Sequence, residues 1–169
     1  MHEQPLLQSW TESPLNEPQV PLDLVHKRRP ENLALSRFAP LDEPHTFAAE
    51  VLVDTAHPFF FDHPLDHAPG LLLIEAARQF GIAVAHRHYG VPFDHGFILN
   101  GFDVDFARFA ELGAPVFILG RTTDRVERKG VLSSMTFTGH FQQEGRELGR
   151  MSGRWRMVPR RILARLRKG

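Results

Sequence analysis

Cysteine is absent from the 169 residues, which excludes disulfides, thiolate catalysis and zinc sites built on thiolates. An excess of either charge is absent too. The 20 Lys and Arg cancel the 20 Asp and Glu, so the global balance argues for no nucleic-acid partner. No apolar run approaches the ~18 residues that a membrane span needs. The opening Met1-His2-Glu3-Gln4-Pro5 has neither a basic n-region nor an apolar h-region, so the expectation is a cytoplasmic protein. Walker loops, dinucleotide fingerprints, G-x-S-x-G elbows and H-E-x-x-H pairs are all missing, and with them the chemistries they serve. What is there, at 42% hydrophobic and 24% charged, has the composition of one globular domain with a real core.

The two ends differ from the middle. Residues 1–21 carry four prolines and three glutamates without apolar periodicity, and read as a flexible arm. Residues 159–169 read as a basic tail or short helix, with Ile162, Leu163 and Leu166 at helical spacing among arginines. That segment either docks an acidic partner or covers a sheet edge. The domain between them spans residues 22–158.

Within it, Val25–Arg37 has β-favouring positions on either side of Pro30, which predicts a bent or interrupted strand. Phe47, Ala49, Val51 and Val53 alternate as in a half-buried strand. After Pro69-Gly70, apolar residues from Leu71 to Ala85 occupy nearly every side of a helix that ends near His88 and is stopped by Gly90 and Pro92. A helix apolar all round is a buried helix. Four strand-like segments follow at 97–109, 116–126, 131–142 and 146–158, with turns at Lys129-Gly130 and Glu144-Gly145. Strands curled around one buried helix satisfy this order, which is the hotdog architecture, an α+β fold with an antiparallel sheet. A single copy with free sheet edges is expected to pair as a homodimer.

The string Asp62-His63-Pro64-Leu65-Asp66-His67-Ala68-Pro69-Gly70, continuing to Glu75-Ala76-Ala77-Arg78-Gln79, resembles the A-factor biosynthesis (AfsA-type) hotdog family. Leu24-Val25-His26-Lys27 resembles that family's upstream block, and the likeness covers about residues 22–158. Family members carry two hotdog copies, whereas this chain has one. The resemblance implies an acyltransferase of γ-butyrolactone biosynthesis. Such an enzyme joins a β-ketoacyl thioester, held on acyl-carrier protein or CoA, to dihydroxyacetone phosphate or a similar hydroxyl acceptor, with no cofactor. Two alternatives stand beside it: a hotdog dehydratase or thioesterase acting on the same thioesters, and a non-catalytic acyl-binding module.

Glu75 and Arg78, three apart, project from nearly the same helix face. A carboxylate among Leu, Ile and Ala is costly unless paired or used. The pair therefore either fixes helix register as an ion pair, or supplies a general base with a burial-raised pKa and an anion-binding partner. Gly70 and Leu71 offer free N–H groups at the helix start, where an acyl thioester oxygen can be held. In the loop before it, Asp66 or Asp62 is placed to orient His63 or His67 as a proton shuttle, unless these groups and His57 only hold the loop by hydrogen bonds. Pro64 interrupts the helical spacing that would bring His63 and His67 onto one metal, so no metal is expected. His26 and Lys27 line the same site or merely begin a strand. His86, His88, His95 and His140 read as surface or helix-end residues without a role.

Overall fold

The computed structural model describes residues 20–166. Residues 1–19, most of the expected arm, and residues 167–169 lie outside the described residues.

The first expected strand is mostly not a strand. Asp23–Val25 and Pro30–Asn32 form 3-10 turns, and the first ends at His26 in a left-handed conformation, φ 57°. Pro30, which has no N–H to give a sheet, opens the second turn instead. Leu24 and Val25 are still buried, so the apolar pattern signalled burial and not extension. Strand β1 (Leu35–Pro40) begins only after this and pairs antiparallel with β2 (Thr46–Val51). Phe47, Ala49 and Val51 are buried as the alternation requires. Ala48 is buried as well, because it meets Phe117 and Leu119 on the other face of the sheet.

A two-residue strand, β3 (His67–Ala68), leads into helix α1 (Gly70–Tyr89). Strands β4 (His95–Phe106), β5 (Ala110–Glu111), β6 (Phe117–Arg128), β7 (Val131–Gln143) and β8 (Arg146–Pro159) follow, then a short helix α2 (Arg160–Leu166). Six strands make one antiparallel sheet in the order β1-β2-β6-β7-β8-β4, and β3 pairs with β5. Lys129-Gly130 and Glu144-Gly145 close the β6–β7 and β7–β8 hairpins, all four residues at positive φ. Two-residue turns of that hand match the twist of the strands they join.

The sheet curls around α1. Twelve of its 20 residues are buried, spread over all sides. The helix stops where Gly90, at φ 62°, returns its N–H to the Ala85 carbonyl. Met135, Phe137 and Phe141 of β7 reach the core on alternate positions, as expected. Phe137 meets Phe80 of the helix edge-on at 5.1 Å between centroids. In β4 the alternation delivers less burial. Phe102 packs on the core, while Leu99, Val104 and Phe106 stay exposed, because β4 ends the sheet.

Candidate functional site

Glu75 sits one and a half turns into α1, and three other polar side chains meet there. Arg78 donates from Nε to Oε2 at 2.7 Å and from Nη2 to Oε1 at 2.8 Å. Lys27 brings Nζ to 2.6 Å from Oε1, although it lies 48 residues earlier in the chain. Gln79, one turn on from Glu75, donates to Oε1 at 2.9 Å and to the Asn32 carbonyl at 2.8 Å. The Gln79 carbonyl oxygen accepts the Ala34 N–H at 3.0 Å. Gln79 is fully buried, and it ties the helix to the loop that carries Lys27 and Asn32. That loop is held by Leu24 and Val25 in the core and by the Lys27 N–H donating to the Leu22 carbonyl.

Of the two readings of Glu75, these contacts bear out the ion pair and overturn the base with a burial-raised pKa. Burial pushes its carboxyl up, but the hydrogen bonds from Arg78, Lys27 and Gln79 and the Arg78 charge outweigh burial and hold it at about 2. In the free protein Glu75 is an ionised, saturated anchor, not a base poised near neutral pH. Lys27 and Arg78 leave this trio one positive charge in surplus, and all three side chains keep 20–30% of their surface exposed.

A groove of about 390 Å³ opens beside the trio, lined by Lys27, Asn32, His57, Phe59, Phe60, Leu71, Ile74 and Glu75. One end is charged and the rest is aromatic or aliphatic. The His57 ring is clamped by its own loop: Nδ1 accepts the N–H groups of Phe59 at 3.1 Å and Phe60 at 3.2 Å. Its Nε2 is buried and has no hydrogen-bond partner among the described residues.

The other expected site residues, Leu71 apart, lie elsewhere. Gly70 and His67 line a second groove of about 240 Å³ with Leu73, Phe106 and Phe109. A Cβ at Gly70 would stand 3.1 Å from the Phe106 ring, a tight approach that the glycine avoids. Asp66, fully exposed, bonds His67 Nδ1 at 2.7 Å and is held below its usual range by that bond. His63 is exposed and lines neither groove. His26 lies outside both grooves and contacts His86 and Phe97. His86, expected at the surface, is buried at 7% exposure because α1 turns it under Phe93 and Phe97. Leu71 is 59% exposed at the mouth of the first groove. No cluster of three metal-ligating side chains occurs among the described residues. None of the described helices is long and apolar enough to cross a membrane.

Sequence reasoning gave no role to Gln79 and Asn32. Gln79 had a usable signal, a polar residue four after Glu75 on an apolar helix. The Lys27–Glu75 contact had none, because it depends on how a distant loop lands.

The family model described as the A-factor biosynthesis hotdog domain matches residues 11–159. The chain is similar to the 2-oxo-3-(phosphooxy)propyl 3-oxoalkanoate synthase of Streptomyces coelicolor, 34% identical over 121 residues, 72% of this chain and 34% of that protein. The Streptomyces griseus synthase of the same name is 42% identical over 69 residues, 41% of this chain and 21% of that protein. The chain thus spans a third or less of the length of these curated relatives. Among solved structures, the dehydratase heterocomplex ApeI:P of Xenorhabdus doucetiae superposes with a TM-score of 0.67 at 16% identity, over 90% of this chain and 100% of that one. At that identity the likeness shows the fold alone.

Proposed function

Because the chain belongs to the A-factor biosynthesis hotdog domain family, we propose that it is an acyltransferase of butyrolactone-precursor synthesis. It moves a 3-oxoacyl group from an acyl-carrier-protein or CoA thioester to a phosphorylated hydroxyl acceptor of the dihydroxyacetone phosphate type. The observation that carries this reading is the groove whose apolar wall ends at Lys27 and Glu75, beside Arg78, which pairs with Glu75 and leaves the trio a surplus positive charge. Apolar walls suit an acyl chain, and paired cations suit a phosphate. The names of the curated relatives describe a product with both parts, a 3-oxoalkanoyl chain and a phosphorylated acceptor.

In this reading the acceptor hydroxyl oxygen bonds to the thioester carbonyl carbon and its proton passes to Glu75. The C–S bond then breaks, and the leaving thiolate takes that proton. Glu75 at about 2 is too acidic to accept it in the free protein. The acceptor phosphate draws Lys27 and Arg78 toward itself, and the carboxylate, losing hydrogen bonds, becomes more basic. Acceptor binding therefore creates the base. The N–H groups of Gly70 and Leu71 at the helix start hold the thioester oxygen. The Asp66–His67 pair serves the mouth of the second groove, His63 takes no part, and His26 and His86 hold the loop that carries Lys27. Two copies pair through the β4 edge.

The test is product analysis by mass spectrometry on purified protein with 3-oxoacyl, 3-hydroxyacyl and saturated thioesters, with and without dihydroxyacetone phosphate. A phosphorylated 3-oxoacyl ester is expected, formed only when thioester and acceptor are both present. Glu75→Gln is expected to lose about 10²- to 10⁴-fold in turnover, and Lys27→Met to raise the KM for the acceptor. Dehydration of the 3-hydroxyacyl substrate, or hydrolysis without acceptor, would identify a dehydratase or a thioesterase instead. Bound thioester with no turnover would identify an acyl-binding module.

A further inference from the structure

His57 presents a donor that nothing in the described chain uses. Its Nδ1 accepts two backbone N–H groups, so that nitrogen carries no proton in the neutral ring and Nε2 carries it. The tautomer is set by the loop. Asp54 sets the loop in turn: its Oδ1 accepts the Ala56 N–H at 2.9 Å and its carbonyl accepts the His57 N–H at 3.1 Å. The Nε2–H is therefore a fixed donor on a side chain 7% exposed, and it has no partner among the described residues. A buried, unmade hydrogen bond is unfavourable and rare, and such groups mark places where something else binds.

The surroundings say what that something is. The imidazole packs on Phe60 at 4.6 Å between centroids, and Phe60 packs on Phe59 at 5.2 Å. All three line the aromatic part of the groove, together with Leu71 and Ile74. Phe59 is 68% exposed, so its ring is free to swing aside and admit a chain. A neutral donor set in an apolar wall does not select a charged group, which the Lys27 end already serves. It selects a neutral oxygen carried on an otherwise apolar chain. We propose that the His57 Nε2–H receives the 3-oxo oxygen of the acyl group, so that His57 makes the site specific for 3-oxoacyl over saturated chains. This inference rests on the acyl-thioester reading above and names the group that reads the substrate.

Two substitutions separate this role from loop holding. His57→Asn keeps an acceptor where Nδ1 stood and removes the Nε2 donor, while His57→Gln does the reverse. The measurement is kcat/KM for 3-oxoacyl and saturated acyl pantetheine thioesters of equal length, with dihydroxyacetone phosphate as acceptor. Wild type is expected to prefer the 3-oxo chain by roughly 10- to 100-fold. The ratio falls to near one in His57→Asn and is partly retained in His57→Gln. A His57→Asn protein that keeps the wild-type ratio overturns the inference.

A second measurement stands apart from activity and from the folding of any variant. Wild-type protein with ¹⁵N-labelled histidine is titrated with a 3-oxoacyl pantetheine amide, which cannot transfer its acyl group. The His57 Nε2–H resonance is expected to move, and the saturated amide is expected to leave it in place. If the 3-oxo amide shifts the groove methyls of Ile74 and Leu71 but not His57, the inference fails and the acyl-thioester reading survives. If it shifts neither, both fail.

Discussion

His26 and His86 approach Nε2 to Nε2 at 2.9 Å, so one ring must donate to the other. His86 Nδ1 lies 2.6 Å from the Val91 carbonyl and must donate to it, which leaves His86 Nε2 as the acceptor and His26 Nε2–H as the donor. The bond lasts only while His86 is neutral, because a protonated His86 Nε2 has no lone pair to accept with. Burial, then the charges of His86, Arg160 and Arg78, bring His26 down to about 4. His86 is lowered by burial and by His95, against the opposing pull of the Val91 carbonyl and Asp23. In the unfolded chain both return to about 6.5. As pH falls from about 6.5 to 4, the unfolded state therefore binds protons that the folded state refuses, and stability declines. Glu75 adds to the decline below about 4.5, since its folded carboxyl stays ionised down to about 2. Thermal unfolding across this range is expected to give a steadily falling Tm on acidification. His26→Gln is expected to flatten the slope above pH 4.5, and an unaltered slope would detach the pair from the effect.

At the scale of elements, the contact of α1 with the sheet depends on a missing side chain in β6. A Cβ on Gly120 would stand 2.3 Å from Phe137 Cζ and 3.0 Å from Phe80 Cε1. Both rings are fully buried and have no room to retreat. Gly120→Ala is therefore expected to cost about 1–3 kcal/mol in urea unfolding through overpacking. A neutral result would mean that the strand, not the rings, gives way. The helix itself was legible from residues, because an all-round apolar run bounded by Pro69-Gly70 and Gly90 has few other uses. The segment before β1 was not. β-favouring residues on both sides of Pro30 report burial, and burial is equally satisfied by 3-10 turns packed under a helix.

For the whole molecule, the β4 edge is an exposed end of the six-stranded sheet. Its 12 residues pair with β8 on one side, and the other side offers unpaired backbone groups flanked by exposed Leu99, Val104 and Phe106. Edges of this length are covered in native proteins more often than left bare. In the proposed dimer a second copy covers this edge, burying its unpaired backbone groups and the exposed Leu99, Val104 and Phe106. Light scattering is expected to give twice the 19.3 kDa chain mass. Val104→Lys is expected to yield monomers that remain folded, and a wild-type monomer at micromolar concentration would remove the β4 pairing.

The helix, the four long strands that follow it along the chain and the family motif were determined by the sequence alone, because periodicity, turn glycines and a contiguous string are local properties of a chain. Glu75 and Arg78 as partners were also legible, three residues apart on one helix. What only the tertiary structure decided is what that pair does. A loop 48 residues away brings Lys27 onto the carboxylate and Asn32 onto Gln79, which turns an expected base into a saturated anion. Proton affinity follows the sum of neighbouring charges and hydrogen bonds in space, and no spacing along a chain encodes that sum.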